Sequence, residues 1–103
     1  MSLNSSSYAQ LGFLGQTAST SSYSVVAGTY VFNAADAGNT GQEVWEVQQN
    51  INGTWTAVSG SQATIPAGGG DSDSVAILLA GYNVRIALVS GTAVNASLFL
   101  NKA

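Results

Sequence analysis

From residue 23 onward, apolar and polar side chains alternate with a period of two, the pattern of β-strands that lay one face on a core. The runs fall at residues 24–32, 43–49, 54–58, 61–65, 75–80, 84–89 and 94–101. Trp45 and Val47 point one way, Glu46 and Gln48 the other. Val84, Ile86 and Leu88 alternate with Arg85, Ala87 and Val89. Val94, Ala96, Leu98 and Leu100 share one face of the last run. Residues 75–80 are continuously apolar, which suits a strand buried on both faces.

Turn chemistry punctuates these runs. Asn52-Gly53 accepts positive φ at both centres of a type I′ turn and predicts a hairpin between 43–49 and 54–58. Pro66 lacks a ladder donor and ends the strand before it. Residues 33–41, 67–74 and 90–92 read as loops, the middle one containing Gly68-Gly69-Gly70. No segment has helical periodicity. The expectation is an all-β fold of about seven strands, an antiparallel β-sandwich or jelly roll, or a small barrel.

Residues 1–22 follow a different pattern. Polar ends, including the Ser/Thr stretch 17–22, flank Tyr8, Leu11, Phe13 and Leu14. The polar ends read as flexible. The segment is expected to be an N-terminal arm whose Tyr8, Leu11, Phe13 and Leu14 contact a partner, with 23–103 as the β domain. The alternative is an irregular first strand of the same domain.

Charge changes the picture most. Only 7% of the 103 residues are charged, against roughly 25% in a typical soluble domain. Arg85 and Lys102 are the only cations, and the net charge is -3. Two cations cannot form the phosphate-neutralising footprint of a nucleic-acid binder, nor attract an anionic membrane. His and Cys are absent, so no Ser-His-Asp triad, disulfide or Cys-based metal site exists. No apolar run approaches the ~20 residues of a membrane helix. The N-terminus does not read as a secretory signal, so synthesis and assembly in a cytoplasm are expected.

The residues left for chemistry are few. Asp71-Ser72-Asp73 lacks the remaining ligands of a calcium loop and reads as a solvated loop. Glu43 and Glu46 are three apart on a strand, hence on opposite faces, and read as strand-edge charges rather than a glycosidase pair. Arg85, inside an apolar strand, is expected in a structural ion pair, with Glu43, Glu46 or a neighbour's acid, or else reaching to the surface. Trp45 and Trp55 face each other across the hairpin if both lie on one side. They are expected in the core with Val47, Val84, Ile86, Leu88 and Leu98, the alternative being a sugar-stacking platform. No catalytic, cofactor or metal residue is assigned, and the chain is expected not to be an enzyme.

From Glu43 onward, Trp45-Glu46-Val47-Gln48, Asn52-Gly53-Thr54-Trp55, Leu79-Ala80-Gly81, Val84-Arg85-Ile86, Gly91-Thr92-Ala93 and Ala96-Ser97-Leu98 follow one plan. That plan resembles small β proteins encoded among the virion genes of tailed bacteriophages. The resemblance implies a capsid decoration (cement) protein, or a head or tail accessory. It implies a homotrimer seated on the capsid surface against the major capsid protein or another virion protein, without catalytic residues or cofactors. The alternatives carried forward are a carbohydrate-binding β-sandwich module and a tail or fibre accessory.

Overall fold

The computed structural model describes residues 8–72, 74–81 and 83–103. Nine strands follow one another: β1 (Gln10–Gln16), β2 (Tyr23–Ser24), β3 (Gly28–Ala35), β4 (Glu43–Ile51), β5 (Thr54–Ala57), β6 (Ala63–Ile65), β7 (Val75–Leu79), β8 (Asn83–Ser90) and β9 (Ala96–Lys102). The described residues form no helix. One sheet has the order β1-β9-β3-β7. The other has β2-β8-β4-β5, with β6 continuing beside β4 on the edge that β5 leaves. Every strand pairing is antiparallel.

The alternation read from the sequence sets which faces meet. Tyr30, Phe32 and Ala34 of β3 and Leu98 and Leu100 of β9 point inward from the four-stranded sheet. Trp45, Val47, Val84 and Ile86 point inward from the five-stranded one. These side chains form one core shared by both sheets, as expected when each antiparallel sheet has one dry face. The Asn52-Gly53 hairpin forms as expected. Asn52 has φ 53° and Gly53 φ 82°, and Ile51 pairs with Thr54.

Three expectations are revised. Residues 24–32 are not one strand. β2 belongs to the five-stranded sheet and β3 to the four-stranded sheet, so the chain crosses between layers there.

β7 is not buried on both faces. It is an edge strand with β3 as its neighbour; Ile77 and Leu79 are buried while Leu78 is 72% exposed.

The segment expected to be an arm folds back on its own chain. Gln10–Gln16 pair along β9, and Leu11 enters the core. Leu11 and Phe13 alternate with Gln10 and Gly12, so pairing with β9 turns both toward the core and covers the β9 edge.

The Ser/Thr stretch has bonded partners as well. Thr20 N donates to the Ile86 carbonyl (2.9 Å), Ile86 N to Thr20 Oγ1 (3.0 Å) and Leu88 N to Ser19 Oγ (3.1 Å). Hydroxyls thus continue along β8 where β2 stops, which blunts an edge without an apolar strand. Residues 1–7 lie outside the described residues.

Candidate functional site

Three features could carry function: the outer face of the five-stranded sheet, a buried acid pair, and the outer face of the four-stranded sheet.

On the five-stranded sheet, β4 presents Glu46 and Gln48 outward while Trp45 and Val47 face the core. The register sets Arg85 of β8 opposite Gln48 on one side and Ala57 of β5 opposite it on the other. Arg85 Nε donates to Gln48 Oε1 at 2.8 Å, and its guanidinium carbon sits 4.6 Å from the centre of the Trp55 ring. Gln48 Nε2 donates to Glu46 Oε2 (2.8 Å) and Gln62 Nε2 to Glu46 Oε1 (3.3 Å). A chain of planar polar groups therefore runs Gln62, Glu46, Gln48, Arg85 and ends on an indole. Beside it lies a hollow of about 340 Å³ walled by Glu46, Ala57, Ser59 and Gln62.

Two expectations change here. Arg85 has no carboxylate within ion-pair distance among the described residues. Its cross-strand neighbour is an amide, and Gln48 stands between it and Glu46. Trp55 is not in the core. The two-residue turn pairs it with Asn50, one residue out of phase with Trp45, so it stands half-buried on the outer face. That parity was readable from the turn length. A two-tryptophan platform cannot form, because Trp45 is fully buried. Trp45, Val47, Val84, Ile86 and Leu98 are core residues as expected, and Leu88 packs half-buried against them.

The second feature joins the end of β3 to the start of β4. Asp36 is buried and accepts from Gly38 N (3.2 Å), Val94 N (2.8 Å) and Asn95 N (3.2 Å). Glu43, read above as a strand-edge charge, is fully buried, since it shares its parity with Trp45 and Val47. Its Oε1 accepts from Trp45 Nε1 (3.1 Å), its Oε2 is buried, and the Asp36 carboxyl and the Asn39 side chain are its other polar neighbours. Burial and the neighbouring Asp36 carboxyl push the Glu43 pKa up. Burial opposes ionisation of Asp36, but its backbone N–H bonds and Glu43 outweigh it and hold its pKa below the ordinary value. With one pKa pushed up and the other down, Glu43 is the member of the pair that holds a proton more readily. Asp36 thereby ties the 91–95 turn to β3 in a sealed position, a structural role. No group of three or more acidic side chains capable of holding a metal occurs among the described residues. Asp71 is exposed, and Asp73 lies outside the described residues, so the Asp71-Ser72-Asp73 reading is not addressed.

The third feature is the outer face of the four-stranded sheet. Lys102 is the only charged residue in β1, β3, β7 and β9, and its parity with Leu98 and Leu100 places it off that face. Outward positions include Gly12, Val31, Asn33, Ala76, Leu78, Phe99 and Asn101. Leu78 (72%) and Phe99 (40%) stand in solvent, and Leu14 (73%) sits at the bulge of β1. Of the residues expected to dock an arm, Leu11 is therefore in the core, Phe13 half-buried against Tyr23, and Tyr8 and Leu14 exposed. Comparison with protein-family models, with curated proteins and with solved structures finds no match for this chain.

Proposed function

We propose that this chain is a structural subunit of a bacteriophage virion, a capsid decoration protein that works through contacts with copies of itself and with the shell, not by turnover. The observation that carries this reading is the outer face of the four-stranded sheet, whose strands turn no charged side chain outward and leave Leu78 and Phe99 exposed. Interfaces are depleted in charge at their centre and enriched in aromatics. Packing such a face against protein leaves no buried unpaired charge. A standard contact of about 1,600 Å² added between shell subunits would oppose their separation.

Strand order supports the same reading. If β5 and β6 count as one interrupted strand, the sheets become β1-β9-β3-β7 and β2-β8-β4-β5/6. Successive strands then alternate between layers except at β4 to β5. We read this order as that of a jelly-roll sandwich, an architecture used by viral capsid and lectin domains. The fold hosts several functions, so the face and the resemblance to virion proteins carry the choice.

The test is the particle. Virions from a lysate producing this chain should retain it through density-gradient purification, and particles lacking it should lose their shells at lower temperature. Its absence from purified particles rejects the proposal.

One observation favours a second reading. Trp55, Arg85, Gln48, Glu46 and Gln62 form a row of planar groups of the kind that contacts sugar hydroxyls. Saccharide binding predicts a change in Trp55 emission on titration with glycans. Unchanged emission in Trp45→Phe, where Trp55 is the sole reporter, removes this reading.

A further inference from the structure

We infer that the outer face of the four-stranded sheet pairs with the same face of a second copy, each Leu78 entering a hollow on the other. This rests on the reading of the chain as a self-associating subunit and names the surface that does it.

The register carries the inference. Asn101, Val31 and Ala76 form one row across β9, β3 and β7. One step to one side of this row, Leu78 lies opposite Thr29 and stands 72% exposed. One step to the other side, Asn33 lies opposite Phe99, and a hollow of about 340 Å³ opens there. Its walls include Asn33, Ala35, Asp71, Ser72, Phe99 and Asn101. The Phe99 ring leans away over β1: a Cβ on Gly12 would meet it at 3.4 Å.

Knob and hollow are thus displaced in opposite directions from one row, each by about 7 Å, two residues of strand rise. When two such faces stack, a two-fold axis between them, passing by Val31 and inclined to that row, exchanges the ends of the strands and sets β7 of one copy toward β3 and β9 of the other. It carries each Leu78 over the hollow of its partner and sets Val31 near Val31. This is an isologous contact, in which the same patch serves both sides.

Charge and area fit a second copy. Each copy carries -3, so self-association needs a patch free of like charge. Among the described residues Asp71 is the one acidic side chain on this face, exposed at the rim of the hollow. Four strands spaced ~4.8 Å, about seven residues long at ~3.4 Å each, make a patch of roughly 450 Å². Two such patches bury on the order of 1,000 Å², the lower end for specific interfaces, which implies a weak pair favoured by high local concentration. The contact is two-fold, unlike the trimer expected from the resemblance.

The experiment is sedimentation velocity of the full chain from low to high micromolar concentration. Wild type and Thr64→Lys, a change on the other sheet, should shift together to dimer. Leu78→Lys, with unchanged circular dichroism, should stay monomeric. Because the chain has no Cys, Leu78→Cys with Asn33→Cys gives a clean cross-link. The two positions lie two rows apart within one chain, beyond the ~7 Å Cα limit of a disulfide, so oxidation should yield covalent dimer. A wild type that remains monomeric, a folded Leu78→Lys that still dimerises, or an uncrosslinked double Cys variant overturns the pairing. Virion association, scored separately on the same proteins, keeps the two proposals apart. A monomer found on particles removes the pair alone, and a dimer absent from particles removes the capsid reading alone.

Discussion

Trp45 and Trp55 stand on opposite faces of one sheet, ten positions apart on either side of a two-residue turn. Trp45 is sealed in the core with its indole N–H on Glu43, while Trp55 lies outside under the Arg85 guanidinium. The two should behave differently in every measurement that senses burial.

Trp45→Ala should cost about 3–5 kcal/mol, a large part of the ~5–15 kcal/mol that holds a typical domain together. Trp55→Ala should cost about 1 kcal/mol. Urea midpoints report both. In the single-tryptophan forms, Trp45 should emit at shorter wavelength and resist iodide quenching, and Trp55 should be quenched.

Arg85 is held by an amide and an aromatic face, so its contribution is a packing and cation–π term rather than an ion pair. A double-mutant cycle with Arg85→Met and Trp55→Ala should give a coupling of about 0.5–1 kcal/mol that changes little with salt. A coupling that vanishes at high salt, or the same coupling between Arg85 and Glu46, would contradict that assignment.

The buried acid pair gives stability two opposed pH limbs. Glu43 has its folded pKa raised above the ordinary 4.5, so the folded state holds the proton more tightly. Its stabilisation is complete below that value and is lost as pH rises through the folded pKa. Asp36 has its folded pKa lowered below the ordinary 3.8, so its stabilisation is complete above that value and is lost as pH falls through the folded pKa. The contribution of this pair to the unfolding midpoint should therefore fall on both sides of an optimum between the ordinary values of 3.8 and 4.5. Glu43→Gln should flatten the upper limb, and Asp36→Asn the lower.

Two glycines with similar backbone conformation should respond differently to alanine. Gly53 (φ 82°) has open space around its missing Cβ, so Gly53→Ala should cost about 1 kcal/mol from the left-handed conformation alone. Gly91 (φ 90°) lies against the turn into β4, and a Cβ there would collide with the Gln42 carbonyl oxygen. Gly91→Ala should cost about 1–3 kcal/mol beyond the Gly53 value, because backbone on both sides must move. Equal thermal shifts for the two would argue against that close approach.

Much of this fold is legible because strand alternation is local. The parity of Trp45 and Val47 against Glu46 and Gln48, the Asn52-Gly53 hairpin and the inward row Val84-Ile86 need no knowledge of distant residues. Parity also placed Glu43 among buried side chains, but its charge argued against that. The Trp45 indole N–H and the nearby Asp36, itself held by the backbone N–H groups of Val94 and Asn95, make the burial tolerable. Leu11 and Phe13 carried the same alternation, muted by the glycines and serines around them.

What the sequence by itself determined is the all-β class, one hairpin with its register, and which side of each long strand is apolar, since all three follow from neighbours along the chain. Tertiary structure decided which of those sides are covered. The run around β7 is equally apolar at Ile77 and Leu78, and no local signal separates them. Ile77 is buried because the opposite sheet lies over it, and Leu78 is exposed because the fold supplies nothing on its side. Coverage is a property of elements far apart in the chain, and it leaves the outer face of the four-stranded sheet bare at Leu78 and Phe99.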